Sequence, residues 1–148
     1  MENFTVYNPT KLHFGKDVIT QLGETISTYG KRVLLMYGKG SIKKNGIYDQ
    51  VMEQLSSIDA EVFEYPGIKS NPIVDDVIKA AEMGKENNVN VILSVGGGSV
   101  LDSAKITSLT IANRVDTWEL MKREVTPQTK LPVISVLTLA ATGSEMNG

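Results

Sequence analysis

The residues with the most evident chemistry stand in one short stretch, Val91-Ile92-Leu93-Ser94-Val95-Gly96-Gly97-Gly98-Ser99-Val100-Leu101-Asp102. An apolar run enters three glycines, and a hydroxyl and then a carboxylate follow. Glycines permit positive φ and let a ligand or another backbone come close. With a strand before Gly96 and a helix from Ser99, the free N–H groups of the first helical turn and the helix dipole favour an anion such as a pyrophosphate. The plainer reading is a tight turn with no ligand; three glycines in a row, followed by Ser99 and Asp102, weigh against it. The stretch is neither GxGxxG nor a Walker loop, since no Gly-Lys-Ser/Thr completes it.

Catalytic groups are scarce. The chain has one histidine, His13, and no cysteine. One imidazole cannot build a histidine-rich metal site, no HExxH is present, and Ser144 has only His13 as a base. His13 reads as a surface or strand residue. The chain is expected to bind rather than to turn over, with no catalytic residue and no metal ligand of its own.

Around the glycines, apolar periodicity alternates between two kinds of segment. Phe4, Val6 and then Leu12, Phe14 alternate around Asn8-Pro9, which predicts a hairpin or two edge strands. From Asp17 the helical spacing of Val18, Leu22, Ile26 and Tyr29 takes over, with Gly30 as a stop. Val33 to Tyr37 is a continuous apolar run, the mark of a strand buried on both faces. Ser41 to about Ser57 reads as helical with an interruption at Gly46, and Ala60 to Tyr65 alternates as a strand. Asn71-Pro72 predicts the start of a helix, with Asn71 as N-cap, Asp75 and Asp76 near its positive end, and Val74, Val77, Ile78 and Ala81 as its buried stripe. Asn90 to Val95 is the next strand, Ser99 to about Asn113 a helix, Asp116 to Glu124 a short amphipathic helix carrying Trp118 and Met121, and Val133 to Leu137 the last strand. The alternation predicts an α/β fold: a Rossmann-like parallel sheet with helices on both faces, where ligands bind beyond the carboxyl ends of the strands.

Composition sets outer limits. A chain of 148 residues, 41% hydrophobic and 22% charged, suits one ordinary domain. A net charge of -2 offers no general attraction to nucleic acid or an anionic membrane. No stretch approaches the ~20 apolar residues that span a bilayer, and no signal peptide is visible in Met1 to Gly15. A cysteine-free chain suits a reducing cytoplasm. The segment Thr142-Gly143-Ser144-Glu145-Met146-Asn147-Gly148 reads as an active loop in which the chain stops. It predicts one domain over residues 1–148, cut short at its C-terminal end.

Four ordered motifs carry a resemblance over the whole chain. Gly96-Gly97-Gly98-Ser99-Val100-Leu101-Asp102-Ser103-Ala104-Lys105 is similar to the pyrophosphate loop and helix of iron-dependent (group III) alcohol dehydrogenases. Tyr7-Asn8-Pro9-Thr10-Lys11-Leu12-His13-Phe14-Gly15 resembles the start of that family, in its butanol dehydrogenase-like branch. Ser70-Asn71-Pro72 is similar to its Pro-Asn-Pro turn, with serine for the first proline, and Thr138-Leu139-Ala140-Ala141-Thr142-Gly143-Ser144-Glu145 resembles the segment at the nicotinamide end. The resemblance implies the fold of a dehydroquinate synthase-like N-terminal domain, a homodimer through Phe4 to Phe14, and an absent helical domain that holds iron or zinc by one Asp and three His. It implies that Gly97, Gly98 and Ser99 take the pyrophosphate through backbone N–H groups, that Gly96 belongs to the same cofactor-binding loop, and that Asp102 sits near the nicotinamide and its ribose. Thr138, Leu139 and Thr142 would line the far side of the cofactor, with Ser144 and Asn147 close by and Asn71 toward the adenosine half. Asp102 also reads as a plain helix N-terminal carboxylate, and Lys105 as a solvated face.

By the same resemblance, the adenosine ribose lies against Gly38-Lys39-Gly40-Ser41-Ile42-Lys43. A carboxylate there would repel a 2′-phosphate; Gly38 leaves room, Ser41 can donate a hydrogen bond, and Lys39 or Lys43 can supply charge. NADP is favoured, and a plain glycine-rich turn leaves NAD open. The leading expectation is the NAD(P)-binding domain of a metal-dependent alcohol dehydrogenase acting on an aldehyde or primary alcohol, inactive as this chain alone. The alternatives are a polyol dehydrogenase or dehydroquinate synthase-like domain and a stand-alone nucleotide-binding regulatory module. The dehydrogenase reading expects apolar surface around Val133 to Leu139; the module expects a covered core.

Overall fold

A computed structural model describes residues 8–71, 73–140 and 143–146. Four strands, β1 (Arg32–Tyr37), β2 (Glu61–Tyr65), β3 (Val91–Gly96) and β4 (Val133–Leu137), form one sheet in the order β2-β1-β3-β4. Every pairing is parallel, with Leu34 level with Phe63 on one side and Ile92 on the other, and Leu93 level with Ile134. After β2 the chain returns past β1 to lay down β3 on its other side, so the order reverses between β1 and β3. In an open parallel sheet that reversal opens a crevice at the carboxyl ends, here at Tyr37 and Gly96.

Helix α1 (Leu22–Ser27) precedes β1, and α2 (Ser41–Lys44), α3 (Ile47–Ser57), α4 (Val74–Glu86), α5 (Gly98–Asn113) and α6 (Thr117–Met121) connect the strands. The two-residue period of the strands divides the core. Val33, Leu35, Tyr37, Val91, Leu93 and Val95 pack with Leu22, Ile26, Val51 and Leu55 of α1 and α3. Leu34, Met36 and Ile92 face the other way, onto Ala80 of α4 and Val100 and Ala104 of α5. β1 and β3 are therefore apolar on both faces, the condition of central parallel strands.

The glycine stops and breaks act where the sequence places them. Gly30 has φ 144°, and a Cβ there would stand 2.5 Å from Cβ of Asn90. Gly46, at φ 77°, separates α2 from α3. The helix expected from Asp17 begins as a 3-10 turn over Val18–Gln21, and Tyr29 lies beyond its end, exposed to solvent.

Two expectations change. Asn71 does not cap α4: Ile73 is still extended (φ -105°, ψ 148°) and holds the N-cap position without a side-chain bond. The reason lies next door, where the Ser99 hydroxyl donates to the Ser70 carbonyl and keeps the loop on the glycine turn. Pro72 lies outside the described residues, while Asp75 and Asp76 do occupy the first turn of α4. The second difference is at the start of the chain. Phe4 and Val6 lie outside the described residues, and Leu12 to Phe14 form no strand, because alternation yields a strand only where a sheet edge accepts it.

At the amino ends of the strands, side chains close the sheet. Arg32 pairs with Glu61, donates from Nε to the Asn87 carbonyl at 2.8 Å, and lies over the Phe63 ring. The carboxyl ends are finished differently.

Candidate functional site

β3 runs into Gly96, whose missing side chain is required: a Cβ would meet Cγ2 of Val100 at 2.7 Å. Gly97 is different. Its backbone (φ -86°, ψ -171°) suits any residue, yet a Cβ there would meet nothing within 4 Å. Open space lies in front of it. α5 starts at Gly98, and the Val100 and Leu101 amides both donate to the Gly97 carbonyl. The amides of Gly97, Gly98 and Ser99 have no acceptor among the described residues. Unfilled donors at a helix start, facing open space, suit an anion.

Neighbouring segments are tied to this turn. The Ser99 hydroxyl is spent on the Ser70 carbonyl, which brings exposed Asn71 beside it and leaves Ser99 its amide for a ligand. From the other side, the Thr138 amide donates to the Gly96 carbonyl at 2.9 Å, so the chain leaving β4 starts beside the glycines. Thr138 is exposed and Leu139 is 64% exposed. β4 is half-buried along its whole length, as the other edge strand β2 is beyond its first residue, where β1 and β3 are buried.

Asp102 stands one turn into α5 and lines a hollow of about 150 Å³ with Ile73, Val77, Ile106 and Met121. Lys105 is not merely a solvated face: its Nζ donates to the Ser144 carbonyl at 2.6 Å. Ser144 itself is only 3% exposed, so its side chain is packed away rather than presented to a ligand. Thr142 and Asn147 lie outside the described residues. A larger hollow of about 460 Å³, between the ends of α4 and α5 at Gly84, Val89 and Arg114, sits at the opposite end of β3 from the glycine turn. It lies away from the carboxyl ends of the strands, where an open parallel sheet places its ligands.

Beside β3, the end of β1 carries Gly38, Lys39, Gly40 and Ser41. Gly38 faces the Ile68 carbonyl at ordinary contact distance, Gly40 has φ 121°, and Ser41 is exposed at the start of α2. Beneath this turn is a network that sequence reading missed. Tyr37 donates to Oε2 of Glu64 at 2.6 Å and Tyr48 to Oε1 at 2.9 Å, with the two rings edge to face. Burial, then the hydrogen bond to Glu64, drives both phenol pKa values above their usual range. Lys43 Nζ lies 4.5 Å from the Tyr48 ring centroid and 5.4 Å from that of Tyr37. Its charge is thus engaged by aromatic faces, while Lys39 is exposed with no such ring beside it among the described residues. No local pattern joins Tyr37, Tyr48 and Glu64, which only the β1–β2 register brings together.

His13 bonds to Oε1 of Gln21 at 2.9 Å through Nδ1. Among the described residues no three His, Cys, Asp or Glu side chains gather as a metal site, and no helix is long and apolar enough to cross a membrane.

Comparison with known proteins fits this geometry. The chain is 48% identical over 147 residues to the probable NADH-dependent butanol dehydrogenase 1 of Bacillus subtilis, covering 99% of this chain and 38% of that one. It is 40% identical over 152 residues to the NADPH-dependent aldehyde reductase YqhD of Escherichia coli, again covering 99% and 38%. The crystal structure of NADH-dependent butanol dehydrogenase A from Thermotoga maritima superposes with a TM-score of 0.95 at 46% identity, over 100% of this chain and 37% of that one. The chain thus spans less than two fifths of the length of these relatives. The model of the iron-containing alcohol dehydrogenases matches residues 9–148, and the chain belongs to that family.

Proposed function

We propose that this chain is the NAD(P)-binding part of a metal-dependent alcohol dehydrogenase that moves hydride between the nicotinamide and an aldehyde or primary alcohol. One observation carries the reading: among the described residues the amides of Gly97, Gly98 and Ser99 have no acceptor, and open space lies in front of Gly97, at the point where the strand order reverses. There they would hold the pyrophosphate through charge-assisted hydrogen bonds. The dinucleotide, when bound, supplies the hydride chemistry. Gly38 and Ser41 would receive the adenosine ribose and Asn71 would approach the adenosine half. Asp102, with Thr138, Leu139 and Thr142, would flank the nicotinamide end, where Ser144 contributes its carbonyl anchor and Asn147 lies nearby in sequence.

The turn after β1 has no carboxylate to repel a 2′-phosphate, and Lys39 is exposed there, which favours NADP over NAD. Names among the relatives include both cofactors. The described residues do not fit a metal site, so no step is assigned to iron or zinc in this chain. In the whole enzyme the metal would belong to a further, helical domain. The same reading includes a homodimer in the cytoplasm, formed through the N-terminal segment; Leu12 and Phe14, 61% and 92% exposed, are apolar side chains that such pairing would cover.

Calorimetric titration of the chain with NADPH, NADH and ATP tests the reading. Binding of a reduced dinucleotide, with ATP weaker, is the expected result. Preference for ATP would favour a stand-alone nucleotide-binding module instead.

A further inference from the structure

Lys105 lies seven residues beyond the start of α5, about two helical turns from the glycine turn. Its Nζ reaches across to the Ser144 carbonyl at 2.6 Å. Ser144 belongs to a turn closed by the Met146 amide donating to the Gly143 carbonyl at 3.0 Å, with Gly143 at φ 68°. From the far side, Asn8 Nδ2 donates to the Met146 carbonyl at 3.1 Å. The chain after β4 is thus caught twice: at Thr138, on the Gly96 carbonyl, and again at Ser144, on α5. Between those anchors lies Leu139, an exposed apolar side chain.

We infer that Lys105 is a positioning residue for the nicotinamide end of the cofactor site: by gripping the Ser144 carbonyl it fixes the turn at Gly143 to Met146 against α5, without touching the cofactor. The inference rests on the dinucleotide reading and adds a division of labour to it. The glycine turn would hold the pyrophosphate whether or not Lys105 is present. The second anchor would matter only to a ligand that extends beyond the pyrophosphate. An ammonium donating to a backbone carbonyl is a strong, directional tether, and arginine, with its own charge and donors, can replace it in part.

The test compares Lys105→Met and Lys105→Arg with the unaltered chain, using NADPH, NADH and ADP-ribose, which carries the pyrophosphate but no nicotinamide. Lys105→Met is expected to weaken the reduced dinucleotides about tenfold, the scale of one charged hydrogen bond, while ADP-ribose affinity stays within about twofold. The fluorescence of bound NADH should move toward that of free NADH, and Lys105→Arg should recover most of both effects. Equal weakening of all three ligands, or no change in any, overturns the inference while leaving the dinucleotide reading intact. Failure of the unaltered chain to bind any of the three overturns both.

Discussion

The turns that end β1 and β3 stand on adjacent strands and both carry glycines, yet they are finished in opposite ways. The turn after β3 is bare. Its amides have no acceptor among the described residues, and a Cβ at Gly97 would enter empty space. The turn after β1 rests on side chains already satisfied by one another: two phenols share Glu64, and Lys43 lies on their rings. Buried polar groups must be paired by something. Where the protein supplies the partner, the region is structural; where it leaves donors at a helix start unpaired, a ligand is the natural partner. Stability should therefore depend on the network beneath the β1 turn, and the hold on the pyrophosphate on the β3 turn.

The largest expected effect is on the filled side. Glu64→Ala removes the acceptor of two phenols and should destabilise the chain by about 2–3 kcal/mol, read as a lowered urea midpoint at unchanged slope. A loss below about half of that would mean that water substitutes freely and the network is ornamental.

Gly97→Ala should do the reverse. Its φ and ψ accept alanine without strain, so the melting temperature should hold or rise by the equivalent of about 0.4–1 kcal/mol. Dinucleotide affinity should nonetheless fall about tenfold or more as the methyl enters the open space, a loss of about 1.4 kcal/mol. Unchanged affinity would break the contrast. Gly96→Ala is the control, since its methyl meets Val100 and should lower stability as well.

Alkaline titration sharpens the point. The phenols of Tyr37 and Tyr48 titrate higher folded than unfolded. Their contribution is complete below about pH 10, the unfolded value, and is lost as pH rises beyond it toward the folded values. Tyr48→Phe should flatten that loss in urea midpoints taken from pH 9 to 11. The smallest effect is expected at Lys39→Ala, with no change in melting and a few-fold drop in NADPH affinity relative to NADH, an exposed charge being worth at most about 1 kcal/mol.

Much of this was legible in the sequence because it is local. The run Val91 to Val95 could only be a doubly buried strand, and the glycines after it mark where the chain must turn. Gly30 and Gly46 act as a stop and a break for the same reason. What was not legible depends on partners distant in sequence. Asn71 has the chemistry of an N-cap, but Ser99, 28 residues later, holds the preceding carbonyl and the helix waits until Val74. Leu12 and Phe14 alternate as a strand would, and no edge among the described residues accepts them. Lys105 has the look of a surface lysine until Ser144 is folded against it, and Glu64 shows its role only once β2 lies beside β1.

The central place of β1 has a consequence for how the chain acquires its shape. Val33 to Met36 pair with Val62 to Tyr65 on one side and with Val91 to Ser94 on the other. When a ribosome has released only the first 70 or so residues, one edge of the most apolar strand is still without its neighbour. Unpaired edges of that kind invite association with other chains. β3, on which the glycine turn is built, is also the strand that closes this vulnerable edge, so late synthesis should limit both folding and the birth of the binding site.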